Sequence, residues 1–386
     1  MPAGSIGICV VGSGHWGGNY VRLFQSLPDA HVVVVCDANA ERLEAVTRQF
    51  PGVEVRTSLE EALALPGVDA AVVSTPAATH AAVTETCLRA GKHVLVEKPL
   101  TTTVTDGHAV VALAEELGLT LMVGHTFLYN GSVAKVRELV QKPEMGEIYY
   151  LYSRRTNLGP IRHDVNAIWD LACHDVAIFA HILGDTPEWA SAVGTRLLGN
   201  AREDVGFIAL GYPGGVVGHI HVSWADPNKV RELVVVGSGR RVVLNDMDAQ
   251  EPVRVFDKGV VSEPIDNPTS GDFRFTVRDG DIFSPRVVPS EPLGNQARHF
   301  LESVRTGSRP LTDGPAGLDV VSVMEAIDRS LAAGGAPSPV QATKRSSHAL
   351  NGNGNGNGSH GDQRRGRDRR AGVRIPRPVE ILGEAR

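Results

Sequence analysis

The chain has 386 residues, of which 42% are hydrophobic and 21% charged, and its formal net charge is −6. That length suits two globular domains, and no apolar run of about eighteen residues predicts a membrane span or a secretory leader. Residues 341–386 hold ten Lys/Arg against four Asp/Glu, a net +6, which leaves 28 basic and 40 acidic residues, or −12, elsewhere; an acidic body argues against nucleic-acid binding.

Along the first third, short β-branched runs (IGICVVG, HVVVVCD, DAAVVST, HVLVEK, LMVGH) alternate with helix-spaced segments such as ERLEAVTRQF and HAAVTETCLRAG. Continuous rather than alternating apolar runs indicate strands buried on both faces. Residues 1–124 are therefore expected to form a doubly wound, Rossmann-type parallel sheet. Cys9 and Cys36 fall within these runs, and neither Cys87 nor Cys173 has framework spacing. Reduced core thiols and a cytoplasmic location are expected.

After about residue 145 the pattern changes. EIYYLYSRRTN reads as a strand and AIWDLACHDVAIFAHILG as a long helix, while GFIALGYPGGVVGHIHVSW and ELVVVGSGRRVVLND read as hairpins turning at glycine. Residues 125–335 are expected to form an α+β substrate and oligomerisation domain with a mostly antiparallel open sheet. A helix over about 314–333, capped by Thr312 or Asp313, would close it. Residues 336–386, with NGNGNGNG and RRGRDRR, are expected to form a disordered basic tail.

Directly after the first strand comes Gly12-Ser13-Gly14-His15-Trp16-Gly17, a GxGxxG turn opening a helix. Such glycines allow close backbone approach to a pyrophosphate at a helix N-terminus. The next strand ends in Asp37, placed to grip a ribose diol. Its charge would repel a 2′-phosphate, so NAD is expected over NADP. Ser74-Thr75-Pro76 ends the fourth strand at the same carboxyl edge, where such sheets bind ligands. His80, just beyond, reads either as a cofactor contact or as a packing residue.

HVLVEKPL (93–100) ends a buried strand in Glu97-Lys98-Pro99. An ammonium at that edge can stabilise a developing alkoxide, with Glu97 keeping the strand end rigid; a surface salt bridge is the alternative. In IWDLACHDVAIF, Asp170 and His174 lie four apart and on a helix would share a face. That pair suits a general base with a carboxylate beside it, or a plain helix contact; no further ligand cluster suggests a metal. Arg154, Arg155 and Arg162 form a basic stretch that could grip phosphate, or could lie in a solvated or subunit-contact loop.

The combination of GxGxxG, Asp37, STPxxxH, EKP and a Dx3H pair in a second α+β domain resembles the glucose-fructose oxidoreductase/inositol dehydrogenase family over residues 5–335. The resemblance implies Lys98, Asp170 and His174 at the site of hydride transfer, with Gly12, Gly14, Gly17, Asp37, Thr75 and Glu97 near the cofactor. GHTFLYN (124–130), EIYYLYSRRTNLG and DVNAIWDLACHD look closest to the sugar-nucleotide branch that includes UDP-N-acetylglucosamine 3-dehydrogenases, and add His125, Tyr129, Asn157 and Asn166 as substrate contacts. Cys173 and Gly131 stand where that branch leads one to expect proline. The activity implied is NAD-dependent oxidation of a secondary hydroxyl, at C3, of a nucleotide-linked sugar by a homodimer or homotetramer. Alternatives are an inositol or free-sugar dehydrogenase, a ketosugar reductase, and a nonenzymatic NAD-binding regulator.

Overall fold

A computed structural model describes residues 4–162, 164–199, 201–263 and 274–341; His163 and the expected tail beyond residue 341 lie outside these. Six strands, β1 (Ile6–Val11), β2 (Ala30–Cys36), β3 (Glu54–Arg56), β4 (Ala70–Val73), β5 (His93–Glu97) and β6 (Leu121–Gly124), form a parallel sheet in the order β3-β2-β1-β4-β5-β6. The helices α1 (His15–Ser26), α2 (Ala40–Gln49), α3 (Leu59–Leu63), α4 (His80–Arg89) and α5 (Val104–Leu117) connect them. Every residue of β1 is buried: Cys9 and Val11 enter one hydrophobic cluster and Ile8 and Val10 another. Cover on both faces is the physical reason for the unbroken apolar runs. The strand order reverses between β1 and β4, and ligand clefts form at that point on the carboxyl edge.

Beyond α6 (Gly131–Val140) the chain builds a second sheet from β7 (Ile148–Leu158), β8 (Trp189–Thr195), β9 (Val205–Gly211), β10 (Val217–Ser223), β11 (Ala225–Gly237), β12 (Arg241–Asn245) and β13 (Val253–Phe256). After β14 (Gly259–Glu263) and β15 (Arg274–Arg278), which pair only with each other, β16 (Ile282–Phe283) and β17 (Ser338–Pro339) complete its edges. The order is β16-β13-β12-β11-β7-β10-β9-β8-β17, antiparallel except where β10 runs beside β7. The long helix of the sequence begins as one π turn, Ile168–Ala172, and continues as α7 (Cys173–Leu183). Its apolar residues pack on the inner face of this sheet, Phe179 and Ile182 among them.

Two helices return to the first sheet. In α8 (Pro292–Thr306), Leu293, Ala297, Phe300 and Leu301 join Tyr20 and Phe24 of α1 over one face. Each such buried side chain contributes roughly 1.5–3 kcal/mol. On the opposite side, Leu318, Val321 and Met324 of α9 (Gly314–Ala332) share a cluster with Val123 and Val111. Asp313 caps α9 by accepting from Ala316 N at 2.9 Å, and Thr312 O accepts from Val123 N at 2.7 Å, extending the edge of β6. The 336–341 segment, expected to open the tail, is ordered: Val340 N donates to Glu188 O at 2.9 Å and β17 pairs with β8. No helix among the described residues is long and apolar enough to cross a membrane.

Candidate active site

At the switch point the glycine turn leaves β1 with Gly12 at φ +91°, a left-handed conformation that side chains disfavour. A Cβ on Gly17 would overlap the Gly12 carbonyl oxygen, so only glycine lets α1 start this close to the turn. Gly14 is the N-cap of α1 and supplies no side-chain cap, which leaves the first-turn N–H groups for an anion. Ser74 Oγ clasps the turn by donating to Gly12 O at 2.9 Å. The adjoining cleft has a volume of about 990 Å³, and Gly12, Gly14, Asp37, Thr75 and Pro76 line it. His15 and Trp16 are exposed and lean edge to face on one another at its rim.

Asp37 accepts from Ser13 N at 2.7 Å, Ser13 Oγ at 2.8 Å and Asn39 N at 2.9 Å. Burial alone would raise its pKa, but these donors and Arg42, 3.8 Å away, outweigh burial and hold it below the usual value. The carboxylate is thus a fixed negative charge in the cleft. A dinucleotide fits these residues: an acceptor for hydroxyls lies at one end and bare amides at the glycine turn.

One strand farther along the edge, Lys98 Nζ donates to Asp170 O at 2.8 Å and to Asp170 Oδ1 at 3.1 Å. Arg162 Nη1 donates to the same Oδ1 at 3.0 Å and its Nε to Asp164 at 2.9 Å, so four charges alternate in a chain. Burial pulls the Lys98 pKa down, but the Cys173 sulfur and Asp170 carboxylate more than reverse this, and the ammonium persists at neutral pH. Asp170 is likewise drawn up by burial and, more strongly, down by Lys98 and Arg162. The Lys98-Pro99 peptide is cis.

The Nδ1 of His174 is buried without a hydrogen-bond partner, although the residue as a whole is half-buried, and its ring meets Phe127 edge to face at 4.8 Å. Burial, followed by Lys98, Arg155, His125 and Arg231, holds its pKa well below 6.5, so the ring is neutral. His125 follows Gly124, which pairs with Glu97, so register places it beside Lys98. It too is buried with both ring nitrogens unpartnered, and burial and Lys98 push its pKa down to about 4.

The structure corrects several expectations. Asp170 pairs with Lys98 and Arg162, and no hydrogen bond joins it to His174. His80 is buried with both ring nitrogens on backbone carbonyls, Pro99 O at 2.7 Å and Thr75 O at 2.9 Å, which fits the packing reading of the two the sequence left open. Arg155 is tied to Asp175 by two bonds, 2.9 and 3.0 Å, and lies over the Phe127 ring. Arg154, next along β7, is exposed on the opposite face, as alternation requires. Tyr129 places its hydroxyl 3.1 Å from Thr312 Oγ1, and burial pushes its pKa up to about 12. Asn157 folds back on Gly159 O, and Asn166 holds Trp169 N and Glu203. Arg155, Tyr129, Asn157 and Asn166 are thus each engaged, at least in part, by other groups of the protein. Sequence reasoning missed Phe127 and Arg231, whose guanidinium lies 5.6 Å from the Phe127 centroid and 3.5 Å from Asp246.

The same two-domain plan recurs in known proteins. The N-terminal pattern described as "Oxidoreductase family, NAD-binding Rossmann fold" (Gfo/Idh/MocA) matches residues 6–125, and the Gfo/Idh/MocA C-terminal domain matches residues 133–243, together more than half of the chain. The chain belongs to the Gfo/Idh/MocA oxidoreductase family.

Among its relatives in that family is an inositol 2-dehydrogenase of Mycolicibacterium smegmatis, 29% identical over 88% of this chain and 97% of its own length. A UDP-N-acetylglucosamine 3-dehydrogenase of Acidithiobacillus ferrooxidans is 31% identical over 48% of this chain; the match spans 56% of that relative. A further relative at 30% identity is spanned over 59% of its length. The crystal structure of GenD2 from gentamicin A biosynthesis, in complex with NAD, superposes with a TM-score of 0.75 at 25% identity, covering 89% of this chain and 98% of that one. As a Gfo/Idh/MocA member the chain is a nicotinamide-dependent dehydrogenase. Its Gly12–Gly17 turn, Asp37 and Thr75 are the residues that would hold the dinucleotide, and Lys98, His125 and His174 would face its reacting end.

Proposed function

We propose that the chain oxidises a secondary ring hydroxyl of a sugar, with NAD as acceptor and a nucleotide-linked sugar of the UDP-N-acetylglucosamine kind, oxidised at C3, as substrate. The observation that carries the reading is the grouping of a charged Lys98 with two neutral, unpartnered imidazoles, buried His125 and half-buried His174. Bound nicotinamide takes up hydride from carbon. The chain's own residues do the rest. Lys98, oriented by Asp170, faces the hydroxyl oxygen and lowers the cost of its deprotonation. Neutral His174 receives the proton. NAD is preferred over NADP because Asp37 keeps its charge where a 2′-phosphate would lie. Two copies meet through the exposed face of the second sheet, where Tyr149, Tyr150 and Phe207 lie in the open.

A second reading, an inositol or free-sugar dehydrogenase, is favoured by the arginines. Arg155 and Arg162 are bound to aspartates and Arg154 faces away, so the expected phosphate grip is not assembled. One near full-length match is also to an inositol enzyme. Purified protein with NAD is offered UDP-N-acetylglucosamine, myo-inositol and free hexoses, and NADH is followed by absorbance. Turnover of the nucleotide sugar alone supports the first reading, and turnover of myo-inositol alone the second. NADH binding with no oxidation of any ring alcohol counts against both.

A further inference from the structure

A buried line of polar groups reaches Lys98 from the side away from Asp170. Thr126 Oγ1 donates to Gln296 Oε1 at 2.7 Å, Gln296 Nε2 donates to Tyr20 OH at 2.9 Å, and Tyr20 OH donates to Glu97 Oε1 at 2.6 Å. The other Glu97 oxygen, Oε2, accepts from the backbone N–H of Lys98 at 3.3 Å. Tyr20 and Gln296 have no exposed surface, and Glu97 is 7% exposed. All three side-chain bonds run in one donor direction and end on the carboxylate, an arrangement in which each bond polarises the next. Four elements are joined: α1, which starts at the glycine turn; β5, which ends in Glu97 just before Lys98; α8; and the turn that carries His125 and Phe127. Phe127 in turn touches His174.

We propose that Tyr20 and Gln296 are positioning residues: through Glu97 they fix the backbone of Lys98 relative to the turn bearing His125 and Phe127, and so set the geometry of the reacting end. Neither touches substrate. The inference rests on the dehydrogenase reading for its kinetic consequence, but the buried line itself does not. Buried carboxylates without donors are costly, so the Tyr20 donor at the end of the line favours the charged form of Glu97. Burial raises the Glu97 pKa; the Tyr20 donor, Lys98 and Arg162 oppose that rise. Those three, with the neutral amide of Gln296 behind Tyr20, are the groups that act on it from α1, α8, its own strand and the loop after β7. Deleting the Tyr20 hydroxyl therefore moves Glu97 protonation to higher pH.

The test uses full-length Tyr20→Phe, Gln296→Leu and, as a variant nearer the surface, Thr126→Val. Difference infrared spectra of the cofactor-free protein follow the protonated-carboxyl stretch against pH, with Glu97→Gln identifying the band. In Tyr20→Phe the band appears at higher pH than in the wild type, and in Gln296→Leu by a smaller step in the same direction. In steady state, kcat falls about tenfold in Tyr20→Phe and about threefold in Thr126→Val, while KM and the NADH dissociation constant change less than about twofold. The acidic limb of kcat moves up in pH with the band. An unmoved band in a folded Tyr20→Phe, or unmoved kcat and pH limb in both Tyr20→Phe and Thr126→Val, overturns the proposal. If Tyr20→Phe does not fold, Thr126→Val decides by the same readings. A band that moves in a protein oxidising no ring alcohol upholds the buried line and sinks the dehydrogenase reading instead.

Discussion

Asp37 and Asp170 both have lowered pKa values, and burial works against both, yet they are held in opposite ways. Asp37 is met chiefly by neutral donors, Ser13 N and Oγ and Asn39 N, none more than 24 residues away, with the cation Arg42 a lesser influence at 3.8 Å. Asp170 is met by two full cations, Lys98 from 72 residues away and Arg162 from eight. Neutral amide and hydroxyl donors leave a carboxylate with its charge to offer, which is the basis of the proposed preference for NAD over NADP. A carboxylate shared between two cations has its charge largely cancelled, and what it supplies is position. Asp37 lines the cleft with its charge still to offer. Lys98, just past the end of β5, is held charged and largely buried.

The largest effect expected from this contrast is at Lys98. Lys98→Met should lower kcat about 10²–10³-fold, the range for removing one preorganised donor to a developing oxyanion. The NADH dissociation constant, read by fluorescence, should change less than about threefold. Parallel collapse of kcat and NADH affinity would break the comparison, because the two ends would then be one unit. Next in size is Asp37→Ala. Losing hydrogen bonds to a charged acceptor costs about 1.5–3 kcal/mol. The ratio of kcat/KM for NAD to that for NADP should therefore fall about ten- to hundredfold, with kcat at saturating cofactor little altered. An unchanged ratio would mean that Asp37 serves only to hold Ser13 and Asn39.

How much of this could be read from residues alone follows the same division. The first sheet was legible because burial on both faces writes continuous Val and Ile runs into the sequence, as in β1 and β2. The glycine turn and Asp37 were legible because their partners are near in sequence. The Asp170–His174 pairing was misread for a definite reason: four-residue spacing puts two side chains on one face of an α-helix, but Ile168–Ala172 winds as a π turn, which displaces Asp170 toward Lys98. The adjacent arginines carried a usable signal, since neighbours on a strand face opposite ways and Arg154 and Arg155 could never grip one phosphate together. Tyr20 and Gln296 gave none. They meet across 276 residues, and α8, which brings Gln296 to the first sheet, follows a segment without strong periodicity.

The smallest effect expected is at Arg154, and it tests where the reacting end stops. Its neighbour Arg155 is bonded to Asp175, stacks on Phe127 and contributes to the low pKa of His174. Arg154 lies in the same strand but on the exposed face, across from His221 and Glu232 in adjoining strands. A surface change of this kind moves stability by no more than about 0.5 kcal/mol, and Arg154→Ala should leave kcat/KM and NADH affinity within about twofold. A loss of tenfold or more would show that the outer face of β7 completes a site. Sedimentation of Arg154→Ala would then tell whether it does so across a pair of copies, since the charge would be missing from a contact between them rather than from a cleft in one chain.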